Sequence, residues 1–454
     1  MRESSKTLGI LLLMGLLVFL SMRLWVSFPE SPSTDVEEET ISSISMNRLL
    51  APDRVVVNFE GQEHTLFYEL SPLWKDYAPW LQELFSHMEE GAKEITDQEY
   101  LALQDTRSLV FGYVRPWNSR MFLNLLSGPT ATNVLPRGMQ IQEIYIGAKA
   151  DVLVITDGAG RHLRYGLSPG TLPQLAEQIE ELYDSHRFRN YQNLGARHGF
   201  SRAIYVPSLT VPLPPSLHYN HAMSREEMNR LVTACLGVGP EERREVVEAG
   251  ATTYVYGQKS VRIEEGGWVR YWDLEPEPAQ EVNYFMALQS ALEFLTTKAR
   301  MEGDFALETV EKLDEGGKKG VLLGFQYKER NRWVYPMHAL SDRYIEVEVF
   351  NKRVRRLRYL AKSLDTKDAE EGAFHEGYAP EEVLAKNLSR IEGAGRGPEA
   401  LENLLKRIRA IDVVYVEDVA EEGESLIGAW AIRFEHKLYF FDMASGDYLM
   451  ERSV

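Results

Sequence analysis

The longest apolar run in the chain is residues 7–28, TLGILLLMGLLVFLSMRLWVSF, interrupted by one charge, Arg23. As a helix it would be about 33 Å long, enough to cross the hydrocarbon core of a bilayer. Arg2 and Lys6 precede the run, which predicts a cytoplasmic N-terminus and an external body. A-x-A-like residues are missing after it, and no cysteine follows directly, so an uncleaved single-pass anchor is expected rather than a signal peptide or lipoprotein. Residues 29–50 are polar, acidic and Ser/Thr-rich and read as a tether.

Beyond the tether the hydrophobic period alternates between two and about 3.6. Residues 54–70 alternate around Glu60-Gly61-Gln62 and predict a β-hairpin. Trp74, Tyr77, Trp80, Leu81, Leu84 and Phe85 fall at helical spacing and predict a helix from Pro72 to about Glu94. Strands are expected over 108–114, 141–148 and within 150–167, then a helix opened by Thr171 with Gln174 in a T-x-x-Q capping box. A second block starts with a helix near 224–238, where Ser224 and Glu227 form another capping box. It continues as a meander over 252–274, an amphipathic helix over 282–299 and further strands, the last pair spanning 343–360. Ile345, Val347 and Val349 face one way there, and Glu346 and Glu348 the other. Helix followed by meander recurs over 380–452, a repeat of pattern with little residue identity.

The expected fold class is therefore α+β. An N-terminal transmembrane helix precedes an extracytoplasmic multi-domain region of antiparallel sheets with packed helices, the last two modules each a helix plus a β-meander. The segments are a cytoplasmic stub (1–6), anchor (7–28), tether (29–50), N-terminal domain (51–210), central domain (211–365) and C-terminal domain (366–454).

Composition narrows the function classes. A formal net charge of −18 disfavours nucleic acid as a partner and direct adhesion to an anionic membrane surface. The single cysteine, Cys235, excludes an intramolecular disulfide and a multi-thiolate metal site, and its apolar surroundings predict a small buried side chain. Gly166-Leu167-Ser168-Pro169-Gly170 matches the G-x-S-x-G of a hydrolase nucleophile elbow. However, the residue after the serine must donate its backbone N–H to the oxyanion, and Pro169 has none. His218 and His221 give H-x-x-H with too few companion ligands for a metal. The G-x-G-x-G of residues 392–398 lies between two helices and lacks the context of a phosphate loop. The basic run 351–358, NKRVRRLR, reads as a solvated or edge-protecting row, with docking of an acidic partner as the alternative. No catalytic, metal or cofactor site is expected.

The anchor ending in VFLSMRLW, then APDRVVVNFEGQEHTLFY, SRAIYVP and TTYVYGQKSVRIEEGGWVRYWD, resembles the YycH proteins of Gram-positive bacteria. So does the tandem of helix-plus-meander modules towards the C-terminus. This resemblance implies a non-enzymatic accessory subunit of the WalK/WalR (YycG/YycF) two-component system, which governs cell-wall metabolism. The implied partners are the sensor histidine kinase and a YycI-like protein, contacted largely through the membrane helix. Gly9, Gly15 and Ser21 are then candidates for close helix approach, and Arg23 for pairing with a partner carboxylate, or simply for snorkelling to the interface. The alternatives are an anchored cell-wall hydrolase and a PepSY-like inhibitory or ligand-binding module. The closing hairpin LYFFDMASGDYL (438–449) resembles the latter.

Overall fold

The computed structural model describes residues 48–453, except 70–76, 90, 129–134, 149–150, 169–170, 173, 201, 221–222, 276–281, 302, 338–342, 362, 366–375, 396–398 and 418–424. The anchor and tether, with Gly9, Gly15, Ser21 and Arg23, lie outside the described residues, as do Pro169 and His221. Among the described residues no helix is long and apolar enough to cross a membrane. Those residues are mixed α+β with mostly antiparallel sheets.

The chain begins with a nine-stranded antiparallel sheet. Its strands are β1 (Arg54–Asn58), β2 (His64–Phe67), β3 (Lys93–Ile95), β4 (Ser108–Asn118) and β5 (Gln140–Gly147). It is completed by β6 (Val152–Asp157), β7 (His162–Gly166), β8 (Tyr191–Asn193) and β9 (Tyr205–Pro207), in spatial order β3-β7-β6-β5-β4-β1-β2-β8-β9. The run Val55-Val56-Val57 is buried throughout because the sheet is covered on both faces. Val55 and Val57 join the large core under α1 (Tyr77–Ser86), while Val56 packs with Leu66, Val110 and Val154 on the other face. That second face is closed by α2 (Asp97–Gln104), whose Tyr100 is buried in it. β4 breaks register between Gly112 and Trp117, where Pro116 has no N–H to give to the ladder, and runs directly into α3 (Ser119–Ser127). Two short helices, α4 (Leu175–Ser185) and α5 (Leu194–His198), follow β7 and β8.

The second sheet holds fifteen strands. After β10 (Val211–Pro212) and β11 (Leu217–Asn220), helix α6 (Arg225–Leu236) leads into β12 (Arg244–Glu248), β13 (Ala251–Tyr256), β14 (Lys259–Glu264) and β15 (Trp268–Asp273). Helix α7 (Tyr284–Glu293) continues as a π-helical turn over Phe294–Lys298. It precedes β16 (Asp304–Glu315), β17 (Lys318–Glu329), β18 (Arg332–Tyr335), β19 (Ile345–Phe350), β20 (Arg353–Leu360) and β21 (Ser363–Asp365). After β22 (Glu376–Gly377), which pairs with β10, come α8 (Pro380–Lys386) and α9 (Ala400–Leu405). The chain closes with β23 (Ala410–Glu417), β24 (Ser425–Arg433), β25 (Lys437–Asp442) and β26 (Tyr448–Ser453). The sheet runs β12-β13-β14-β15-β20-β19-β17, passes through β18 to β23 by two parallel pairs, Val334↔Tyr415 and Tyr335↔Val416, and continues to β24. Helices α6 and α7 bury Leu231, Val232, Leu288 and Leu292 against the inner face, with Val261, Tyr271, Leu323 and Val347.

Several elements differ from the sequence pattern. Thr171 is not a helix cap: its hydroxyl donates to the Ser168 carbonyl at 2.5 Å, and α4 begins only at Leu175, with Gln174 making no side-chain cap. A hydroxyl that can close its own tight turn is spent locally and leaves the helix start to move downstream. The helix expected to reach Glu94 ends at Ser86, because Lys93–Ile95 pairs with β7. By contrast, Ser224 and Glu227 form the reciprocal capping box of α6, with Glu227 N donating to Ser224 Oγ and Ser224 N to Glu227 Oε2. Thr96 and Glu99 form another, on α2.

The basic run 351–358 is not an unpaired patch. Arg353 pairs with Asp273 and Glu275, Arg356 with Glu315 and Glu348, and Arg358 with Glu346, while the Arg358 guanidinium lies 4.2 Å over the Trp268 ring. Opposite charges directly across antiparallel strands favour this pairing. The glutamates alternating with Ile345, Val347 and Val349 supply half of the row.

A buried carboxylate, Asp53, ties the two sheets together. Asp53 accepts from Lys328 Nζ at 2.9 Å, Trp333 Nε1 at 2.7 Å and the Val114 N–H at 2.7 Å. Removing a partner from such a pair leaves a buried unpaired charge, at about 3–5 kcal/mol. Asp53→Ala and Lys328→Met should each lower the unfolding free energy by about that amount, and the double variant by less than the sum. Denaturant unfolding of the three chains reads this directly, and additive losses would show that the pair is uncoupled.

Candidate ligand cleft

Between the two sheets a cleft of about 750 Å³ opens where β4 runs into α3 and where α7 begins. Its position follows from local chemistry. Pro116 and the register break bend the end of β4 outward, and Asn118 then caps α3 by accepting from the N–H groups of Arg120 and Met121, both at 3.2 Å. Asn283 caps α7 in the same way, accepting from Met286 N–H at 3.1 Å. Both Asn caps and the first turns behind them line the cleft, and Leu307 and Val310 of β16 form its floor. Trp117, Met121, Phe285 and Met286 give the wall an apolar part beside a polar part of nearly equal extent.

The polar end is built around Glu308, whose side chain is only 2% exposed. It accepts from Arg115 Nη2 at 3.2 Å and Gln326 Nε2 at 2.8 Å, with Arg343 Nε at 3.8 Å and Arg452 Nη1 at 3.9 Å. Arg343 makes its shorter ion pair elsewhere, with Glu311 at 2.9 Å. Arg115 and the exposed Arg120 both line the cleft, against Glu308 as its one carboxylate. The Nε of Arg115 is buried and has no hydrogen-bond partner among the described residues. Ligand clefts of this volume, mostly apolar with a few converging polar groups, are the usual form of a small-molecule site.

The residues singled out by the sequence lie elsewhere. Ser168 is exposed just after β7; its N–H donates to the His87 carbonyl at 3.3 Å and its carbonyl accepts the Thr171 hydroxyl. Its backbone closes a turn. His218 sits exposed on β11, paired across the strand with Asp365 and Ser425. Among the described residues no group of three or more His, Cys, Asp or Glu side chains is arranged to hold a metal. Cys235 is buried on α6 and burial pushes its thiol up to about 12, with Sγ 3.8 Å from the Lys298 carbonyl. Arg115, Glu308, Asn118 and Asn283 were not legible as a site: Arg115 and Glu308 are 193 residues apart, and each is an ordinary residue of its own strand.

Two buried groups titrate in the ordinary pH range. Burial holds the His64 imidazole down to about 4; its Nδ1 lies 2.8 Å from Asn58 Oδ1, and Asn58 Nδ2 donates to Ser108 Oγ at 2.8 Å. Burial, with Asp304 nearby, raises the Glu329 carboxyl to about 7.

No protein-family model matches the chain, and no curated protein matches it. Among solved structures it is similar to the Bacillus megaterium YpeB C-terminal domain at 10% identity. That match covers 51% of this chain and 98% of that one, with a TM-score of 0.29. This is a weak structural similarity and assigns no function.

Two outcomes follow from these placements. Ser168→Ala should leave stability within about 0.5 kcal/mol and the chain's biological output unchanged, as expected for an exposed turn residue. Loss of output with the fold intact would return the serine to the chemistry. For His64 the unfolded imidazole binds its proton near pH 6.5 and the folded one only near 4, so its contribution is full above about 6.5 and is lost as pH falls towards 4. The whole step is worth about 3 kcal/mol. Glu329 slopes the opposite way, favouring the fold at low pH and losing that contribution as pH rises through about 7. The difference in unfolding free energy between the native chain and His64→Gln isolates the histidine, and a pH-independent difference would exclude its titration.

Proposed function

We propose that this chain is a membrane-anchored, non-enzymatic regulator whose external body sits on the outer side of the cell membrane and which acts on a sensor histidine kinase of the WalK/YycG type. The observation that carries the reading is the apolar run of residues 7–28, preceded by Arg2 and Lys6 and followed by the ordered segments that resemble YycH proteins. Its function is cell-wall control through the kinase, together with a YycI-like partner.

The mechanism needs no bond chemistry. A helix carrying Gly9, Gly15 and Ser21 on its length packs better against one arrangement of the kinase's membrane bundle than another, with Arg23 meeting a carboxylate or the interface. That difference in affinity shifts the kinase population, and about 1–3 kcal/mol is enough for a 5–150-fold effect. The hydrolase alternative is weakened by Pro169, which has no N–H for an oxyanion. The ligand-binding alternative is favoured by the cleft, and it is compatible with regulation if the external body reports a ligand to the helix.

The test is co-purification from mild detergent. The full chain should retain the host's WalK-type kinase, and a version with residues 7–28 exchanged for an unrelated membrane segment should lose it. Equal retention by both would move the contact to the external body, and retention by neither would remove the kinase from the reading.

A further inference from the structure

We infer that the cleft between the two sheets is a binding site for a small amphipathic anion, a single alkyl chain carrying one phosphate or carboxylate head. The volume of about 750 Å³ accommodates an acyl-chain-sized body, and Trp117, Met121, Phe285, Met286, Leu307 and Val310 supply the apolar wall for it. Met121 and Met286 both line the cleft, from the first turns of α3 and α7, and flexible thioethers adapt to chains of different shape.

The head group is specified at the other end. The N–H groups of Arg120, Met121 and Met286 are already taken by the Asn118 and Asn283 caps. The donors are guanidinium groups. Arg115, about one-fifth exposed, spends Nη2 on Glu308, while Arg120 is exposed at the rim. Glu308 is already engaged by Arg115 and Gln326, so part of its charge is met before an anion arrives. A planar guanidinium with a spare donor suits a carboxylate or phosphate oxygen. A cationic head would meet the like charges of Arg115 and Arg120, and an uncharged one would gain nothing from them.

The cleft carries its own reporters. In the full chain held in amphipol, with methyl-labelled methionine, the signals of Met121 and Met286 are identified by their loss in the Met121→Leu and Met286→Leu chains. Hexyl phosphate and heptanoate should shift both signals to saturation, and the ratio of their affinities tells a phosphate source from a carboxylate source. Hexylammonium and hexanol, with similar tails, should bind about tenfold more weakly or not at all. Arg120→Gln, which leaves the Glu308 pairings intact, should weaken hexyl phosphate about fivefold, and Arg115→Gln more. Equal shifts with hexanol and hexyl phosphate would reduce the cleft to an apolar void, and still signals with every probe would remove the site. If Arg115→Gln fails to fold, an unchanged affinity in Arg120→Gln overturns the anion assignment. Kinase retention plays no part in these readouts, so this site and the regulatory reading fail separately.

Discussion

The Asp53 carboxylate is the point on which the two sheets are registered against each other. It lies just before β1, yet its acceptors are filled from β4, β17 and β18. A buried carboxylate tolerates few arrangements, since each lone pair must meet a donor. Around it Asn331 donates to the Pro52 and Tyr68 carbonyls, and Arg54 of β1 pairs with Asp412 of β23 and Glu143 of β5. The tight turn of Arg330 and Asn331, both at positive φ, exists to bring Lys328 and Trp333 to the same oxygen. The cleft inherits its shape from this arrangement, because Arg115 leaves β4 one residue after Val114 and Glu308 lies on the partner strand of β17.

Charge in this protein is local rather than global. The sequence carries a net charge of −18, yet the arginines of β20 are each matched by a glutamate or aspartate across the sheet. Read along the chain, NKRVRRLR is a basic patch; read across the strands, it is one side of a ladder. Glu308 is the reverse case, one carboxylate serving arginines from β4, β26 and the segment before β19. Of the charged residues that line the cleft, Arg115 and Arg120 stand beside this carboxylate.

Local elements were legible because their causes are local. The hairpin β1–β2 turns where Gly61 takes a positive φ, and α6 starts where Ser224 and Glu227 exchange hydrogen bonds. The strand β12 escaped notice because Arg244–Glu248 is largely exposed and has no alternating apolar face to show. Thr171 misled for a different reason: a threonine hydroxyl reaches a turn carbonyl as readily as a helix N–H. The parallel pairs between β18 and β23 have no local cause at all, since about 80 residues separate them, as between Val334 and Tyr415. The cleft belongs to that last class, and only its cap asparagines have any signature in the sequence.

The spacing of the Asp53 contacts has a consequence for biosynthesis. Lys328 and Trp333 follow Asp53 by 275 and 280 residues. At about 5–20 residues per second, roughly 15–55 s pass between the emergence of the carboxylate and of its partners. Once β9 has emerged at Pro207 the first nine strands can pair among themselves, while the Asp53 carboxylate still lacks Lys328 and Trp333. Until those donors arrive, burying the carboxylate costs its hydration without a partner, so the residue that locks the finished molecule disfavours burial of the same surface in the half-made chain.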